Sequence, residues 1–362
     1  MKSVLVGSSL ALLLIALYLL LWPVPVEPVA WQAPVDRGIA EPFGPDSQLQ
    51  YVRTISTGDY EGPEDLSFGW DGHLYSTTSS GAILRISPSG RVTPFVDVGG
   101  RPLGLTLGPD GNLYVANAYI GLQRVDSDGN VENLLTEVDG EPLVYANNVA
   151  VASDGRVFFS ESSRKFQPKA FGGTYASSLL DIMEHGGHGR VIEYDPADDS
   201  VRVIAEGLNY ANGVAVSDDD RFLLIAETGA YRIHRHWLAG PQAGETEVIL
   251  DNLPAFPDNI TAGMQGRFWV GLIAPRVGAL DELSDKPALR KVVQRLPAAL
   301  RPKAVPYSHV IAVNGDGEVL MNLRDPAARL PSLTAVLETP DALYLATLFG
   351  HRLGRLDKRD LL

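Results

Sequence analysis

From residue 48 onward the apolar positions come in short alternating runs, and each run is entered through a turn. The unit reads "WDGHLYS" at Asp71, "PDGNLYV" at Asp110 and "SDGRVFF" at Asp154, then "DDDRFLLI" at Asp219, "MQGRFWV" at Gln265 and "TPDALYL" at Pro340. Asp-Gly pairs suit tight turns, and alternating aromatic and aliphatic residues suit strands. A second strand follows most units, as in "GAILRISPSG", "GLQRVDSDG" and "GRVIEYDPA". Six turn-and-strand units with little amphipathic helix between them predict an all-β fold, a six-bladed β-propeller. The units are 39, 44, 65, 46 and 75 residues apart. The two long intervals hold insertions near Arg164–Gly187 and Val277–Tyr307, the second with helical spacing and suited to capping one face or touching the membrane. Gln48–Ile55 is expected to close the ring by pairing with the last blade, which protects the edge strands.

The pattern is different at the N-terminus. Val4–Trp22 is a run of 19 residues without a charge, enough to cross a bilayer as a helix. No A-x-A-like cleavage site follows, so an uncleaved signal-anchor is expected over a removed signal peptide. Lys2 before the run and Glu27 and Asp36 after it place the N-terminus inside and the bulk of the chain on the exported, periplasmic or extracytoplasmic side. Pro23–Pro45 carries six prolines and reads as an extended linker. The expected organisation is an anchor over 1–22, a linker over 23–47 and a propeller over 48–362.

Counting seven residues back from each turn position gives Glu64, Leu103, Asn147, Asn212, Asp258 and Leu333. Equivalent positions of a propeller face the same point, the mouth of the central channel. Four of the six carry a side-chain oxygen: Glu64, Asn147, Asn212 and Asp258. A single Asn or Asp before a strand is an ordinary turn former. Four in one register across separate blades suggest a ligand set. Two carboxylates and two amides offer hard oxygens only, which suits Ca²⁺. With no cysteine in the chain and no histidine in the set, zinc fits poorly.

Composition narrows the classes. Glycine (36) and proline (25) are abundant and scattered, as many short strands require. The net charge of −14 and the lack of a basic cluster exclude a nucleic-acid binder.

At "GPEDLSF", "GRPLGLTLGPDGNLYVANAYIGL", "YANNVAVASDGRVFFSESS", "NGVAVSDDDRFLLIAET", "FPDNI" and "LYLATLF" the chain resembles the strictosidine synthase-like family of calcium-dependent six-bladed propellers. Within it, the resemblance is to the adipocyte plasma membrane-associated proteins, with paraoxonases and gluconolactonases more distant. It extends over essentially the whole chain. It implies a central Ca²⁺ on Glu64, Asn147, Asn212 and Asp258, with Asn148 and Asn259 supporting the shell. It also marks two departures. Thr334 stands where strictosidine synthase carries its basic glutamate, so strictosidine synthesis is not expected. Leu103 and Ala118 stand where paraoxonases carry their two histidines. What remains for chemistry is the metal, with Asp258 as general base and Asn148 beside it, acting on aryl esters or lactones. The alternative is a non-catalytic binding or scaffold propeller in which the calcium is structural.

Other polar residues have plainer readings. His185 and His188 fall in a Gly-rich turn that a channel mouth or solvent would suit. His234 and His236 share one strand face and read as structural. Arg276 follows the fifth blade's inner hairpin and is a candidate pocket residue. Asn259-Ile-Thr261 matches a glycosylation acceptor, but one adjacent to the metal set would be inaccessible.

Overall fold

The computed structural model describes residues 2–302 and 304–361, with side chains from Val6 onward. Six four-stranded antiparallel sheets form the blades of a propeller. The innermost strands are Leu66–Phe68, Pro102–Leu107, Ala146–Val151, Ala211–Val216, Ala255–Ala262 and Leu333–Glu338, for blades I to VI. Each touches the next around the ring, and blade VI returns to blade I. Closure is as the sequence implies but shorter. Only Arg53–Ser56 pairs, as the outermost strand of blade VI against Arg352–Asp357, while Gln48–Tyr51 forms a single 3₁₀ turn.

The repeated Asp-Gly has a local cause. In blades I and II the aspartate accepts the backbone N–H two residues on, as Asp71 does from His73 and Asp110 from Asn112. The same aspartates accept the hydroxyls of Tyr75 and Tyr114 at 3.1 Å. Gly72 and Gly111 take positive φ values of 75° and 81°, which a side chain would strain.

The apolar faces pair between blades. Tyr75 and Ile83 of blade I pack with Leu105, Leu113 and Val115 of blade II. Equivalent clusters join II to III, III to IV, IV to V, V to VI and VI to I. Each fully buried Leu, Ile, Val or Phe contributes about 1.5–3 kcal/mol, so the ring holds through many such clusters and needs no helical core.

The inner strands share an irregularity that sets the site. Their register breaks between Pro102 and Leu105, Ala146 and Val149, Ala211 and Val214, Pro257 and Ile260, and Leu333 and Val336. The bulged pairs are Leu103-Gly104, Asn147-Asn148, Asn212-Gly213, Asp258-Asn259 and Thr334-Ala335. In blade I, Glu64-Asp65 stands at the same place just before its strand. A bulge turns a strand and re-aims its side chains. The first residue of a pair faces the axis and the second faces the neighbouring blade. The second positions alternate around the ring between Asp65, Asn148 and Asn259, which carry long side chains, and Gly104, Gly213 and Ala335. Asp65 accepts the N–H of Leu105, and Asn148 Oδ1 accepts that of Val214, both at 2.9 Å. The glycines let the blades come close: a Cβ on Gly213 would stand 2.2 Å from the Ile260 nitrogen, and one on Gly104 2.6 Å from Asn148 Cα. This corrects the sixth axial position. The blade VI hairpin is one residue shorter, so counting from Pro340 reaches Leu333, whereas Thr334 occupies the bulge.

Among the described residues four α-helices lie outside the blades: α1 (Lys2–Leu21), α2 (Thr174–Glu184), α3 (Gly278–Glu282) and α4 (Pro287–Arg295). The expected membrane-crossing run is helical as α1, and its described leucines other than the half-buried Leu19 are exposed. Among the described residues no helix is long and apolar enough to cross a membrane. The side chains of Lys2, Val4 and Leu5 lie outside the described residues, as do Met1 of the expected anchor and Lys303 and Leu362 of the expected propeller. The proline-rich stretch is extended but packed. Val26 is fully buried, Val29 and Trp31 donate their N–H groups to the carbonyls of Glu184 and Ser284, and Asn322 donates to Gly44 O.

The close approach at Gly213 makes a prediction. Gly213→Ala puts a methyl group against backbone that cannot swing aside, so it should cost about 3 kcal/mol, the upper end of overpacking. The urea midpoint should fall clearly, whereas Gly278→Ala, with open space around its Cβ and no positive φ, should cost less.

Candidate functional site

The bulges bring Glu64, Asn147, Asn212 and Asp258 together on the floor of one cavity of about 770 Å³, next to Leu103. All four are buried, between 2 and 6% exposed. Thr334 is buried below the cavity, where its hydroxyl donates to the backbone oxygen of Glu64 at 2.5 Å.

The amide orientations follow from two hydroxyls on the second strands and the turns after them. Ser162 Oγ donates to Ala211 O at 2.7 Å, so it is free to accept, and Asn147 Nδ2 donates to it at 2.7 Å. Thr228 Oγ1 likewise donates to Pro257 O at 2.7 Å and accepts from Asn212 Nδ2 at 3.1 Å. With the NH₂ ends committed, Asn147 Oδ1 and Asn212 Oδ1 are turned away from these hydroxyls. Both are buried without a hydrogen-bond partner, and so is Glu64 Oε2. Glu64 Oε1 accepts Asn259 Nδ2 at 3.2 Å, and Asp258 Oδ1 accepts Asn212 Nδ2 at 2.6 Å. Buried oxygens without partners are costly in a folded protein, and three on one cavity floor fit a hard cation. Among the described residues no cluster of three or more His, Cys, Asp or Glu side chains has metal-holding geometry. The oxygen set has two amides among its four members and so is of a different kind, the kind that calcium accepts.

Electrostatics point the same way. Burial, partly offset by Arg101 and the Asn259 hydrogen bond, raises the Glu64 carboxyl to about 7. Burial and then the charge of Glu64 raise Asp258 well above the usual carboxylate range, against the Asn212 hydrogen bond. Asp65 is raised by burial and then by Glu64. Of these three buried carboxyls only Glu64 feels a guanidinium, that of Arg101, so the group lacks positive charge.

The cap forms the walls. Residues of α2, α3 and α4 line the cavity with Tyr145, Tyr210 and Phe256. Tyr145 donates to Thr174 O at the start of α2, and the two tyrosine hydroxyls are 2.6 Å apart, so Tyr210 donates to Tyr145.

Several sequence candidates lie elsewhere. Asn148 is buried between blades, its Nδ2 donating to Asp65 at 3.2 Å, and does not line the cavity. His185 stacks on Trp31 with ring centroids 3.9 Å apart, and burial lowers it to about 4. His188 meets Glu184 at 2.6 Å, His234 meets Glu227 at 2.6 Å and His236 meets Thr246 at 2.8 Å. Arg276 binds Asp281 at 2.9 Å and Asn252 at 2.6 Å and also donates to Pro34 O, tying the proline-rich stretch to α3. Asn259 is fully buried and unsuited to glycosylation. The residues that sequence reading missed are Ser162, Thr228, Asp65 and the tyrosine pair.

Comparison with known proteins follows the geometry. A family model described as strictosidine synthase matches residues 147–241, and one described as strictosidine synthase-like, N-terminal, matches residues 41–86. An adipocyte plasma membrane-associated protein of Bos taurus is 32% identical over 370 residues, 95% of this chain and 87% of the relative. A strictosidine synthase-like protein of Arabidopsis thaliana is 32% identical over 310 residues, 80% of this chain and 74% of the relative. Among solved structures, a gluconolactonase from Xanthomonas campestris superposes with a TM-score of 0.61 at 18% identity, covering 84% of this chain and 89% of that one. That likeness is one of fold alone.

Two outcomes follow from the site. A carboxyl whose proton affinity is higher folded than unfolded stabilises the fold when protonated. That contribution is full below about 4.5 and lost as pH rises through about 7. Calcium-free protein should therefore melt several degrees lower at slightly alkaline than at mildly acidic pH, and added Ca²⁺ should raise the melting temperature mainly at the alkaline end. Ser162→Ala frees the Asn147 amide to rotate, and calcium affinity by titration calorimetry should fall about 10- to 100-fold, as for other supporting hydrogen bonds.

Proposed function

Because the chain belongs to the strictosidine synthase-like family, we propose that it is a membrane-anchored, calcium-dependent hydrolase of apolar or aryl esters or lactones. The observation that carries this reading is the large, mostly apolar cavity whose floor is the oxygen set. A purely structural cation at a propeller hub has no use for such a chamber.

Glu64, Asn147, Asn212 and Asp258 are the residues that would hold the ion. When bound, calcium supplies a Lewis acid that polarises a carbonyl oxygen and balances the buried carboxylate charge. The chain's own groups do the rest. Asp258 Oδ1 is held by Asn212, which leaves Oδ2 to take a proton from a water attacking the carbonyl. Tyr145 and Tyr210 hold α2 over the floor, and the apolar walls take the acyl or aryl portion and exclude bulk water. Asn148 has both side-chain ends engaged between blades and supports the bulge without reaching substrate. The likeness to a gluconolactonase, and that to a calcium-binding regucalcin of Agrobacterium tumefaciens with a TM-score of 0.57, agree with this class at the level of fold.

The anchor belongs to the same proposal. α1 is apolar on every described side, and the related bovine protein is named for the plasma membrane. The propeller then lies on the exported side. The binding-platform reading draws on one feature, the non-ionising Leu103 and Thr334 at two axial positions.

The test uses full-length protein in detergent, since residues 24–44 pack against the body. Hydrolysis of phenyl acetate and of simple lactones is followed with Ca²⁺ and with EGTA. Asp258→Asn, still folded, should lose about 10²- to 10⁴-fold in kcat, the range for a lost general base. A calcium-stabilised protein that hydrolyses none of these esters would favour the platform.

A further inference from the structure

The cavity does not open at random with respect to α1. Pro25, three residues beyond Trp22 at the end of that helix, lines the cavity itself. The helix end is pinned to the cap. Arg295 of α4 donates from Nε to Trp22 O at 2.5 Å and from Nη1 to Leu19 O at 3.0 Å, and Tyr18 donates to Arg295 O at 3.0 Å. A guanidinium on the last carbonyls of a helix is the favourable partner for its negative end. Its neighbours on α4, Val293 and Gln294, line the same cavity. One residue thus fixes where an apolar helix leaves the body and where the chamber wall begins.

The rim around that point is apolar and exposed. Tyr175 and Leu179 of α2 and Phe349 of blade VI line the cavity while 39, 50 and 46% exposed, and the Tyr175 and Phe349 rings touch at 5.3 Å between centroids. Beyond α4, Leu300 is 67% exposed. An apolar patch of this kind marks a binding surface. Trp22 and Tyr18, 59 and 43% exposed and 5.7 Å apart, lie at the end of α1 as interfacial aromatics do. Arg301 lines the cavity and donates from Nε to Leu296 O at 2.8 Å, and Lys291 lies on α4; both have the long stems that suit headgroup level. Acidic Glu282 and Asp285 lie at the α3–α4 turn, so charge alone does not select the surface. The exposed apolar rim, with the end of α1 held to α4 beside it, does.

From this we propose that the cap face formed by α2, α4 and Phe349 rests in the outer layer of a lipid bilayer, so that the chamber opens at the lipid–water boundary and takes its ester or lactone from the membrane phase. The proposal rests on the anchor reading above and adds the orientation of the body. It selects lipid-soluble substrates, since a water-soluble one would have to cross the headgroup region to reach the rim.

The chain contains no cysteine, so single probes report one position each. Leu179→Cys, Leu300→Cys, Phe349→Cys, Leu13→Cys and Asp110→Cys are labelled with an environment-sensitive fluorophore in the full chain and reconstituted into phosphatidylcholine vesicles, with or without nitroxide-bearing lipid. Asp110 lies in a hairpin at the far end of its blade from the cavity. The nitroxide should quench the three rim probes and Leu13 at least about twofold and leave Asp110 unchanged, as for side chains at the headgroup–acyl boundary. Quenching at Leu13 with none at the rim would overturn the orientation while leaving the anchor. No quenching at Leu13 would remove the anchor reading and this inference together. Rim probes shielded from aqueous iodide yet unquenched by nitroxide would mean that protein covers the face, and would also overturn the proposal.

Discussion

Two carboxyls buried at the hub of six blades, Glu64 and Asp258, govern the rest of the site. Burial makes each unfavourable to ionise where it stands, and the charge of Glu64 makes Asp258 worse still. A propeller can place side chains on its axis at little cost, because the cores lie between blades and leave the middle free. The bulged inner strands use that freedom, turning one residue inward and the next toward the neighbouring blade. The inward residues make a concentrated demand for positive charge. The long and short side chains that alternate behind them keep the blades close enough for the demand to be local.

The amides show how a neutral group becomes a ligand candidate. An asparagine at a channel floor has no intrinsic reason to present oxygen over nitrogen. Here a hydroxyl whose proton is already committed to a carbonyl of the next blade accepts the NH₂ end, and the orientation follows. The same bonds tie blade III to IV and IV to V, so the geometry of the floor is coupled to the packing of the ring. Above it, the insertions serve as walls, and the proline-rich stretch that leads from α1 is built into them.

Much of this was legible in the chain. The Asp-Gly turns revealed the first blades because in blades I and II the aspartate, the positive-φ glycine and the tyrosine four residues after the aspartate act as one local unit. Counting back from the turn found four axial oxygens because the first strand runs the same seven residues from axial position to turn in blades I to V. It failed in blade VI, where the hairpin is one residue shorter and Thr334 takes the place assigned to Leu333. Ser162 and Thr228 escaped because a hydroxyl 15 or 16 residues from its amide carries no local periodicity. Their recurrence at nearly equal offsets was the available signal. Asn148 was placed beside the chemistry because adjacency in sequence was taken for adjacency in the site, whereas a bulge sends neighbours in different directions. The packing of residues 24–44 was hidden by their prolines, although the apolar Val24, Val26 and Trp31 between them marked a face to bury.

The central claim is that inner-strand bulges aim four oxygen-bearing side chains at one cation. The most direct measurement is a crystal structure grown in calcium chloride with anomalous differences recorded. The account predicts a single axial peak about 2.3–2.6 Å from Glu64 Oε2, Asn147 Oδ1, Asn212 Oδ1 and a carboxylate oxygen of Asp258, with the cavity open above it. An axis without a peak, or amides with their nitrogen ends turned inward, would contradict it.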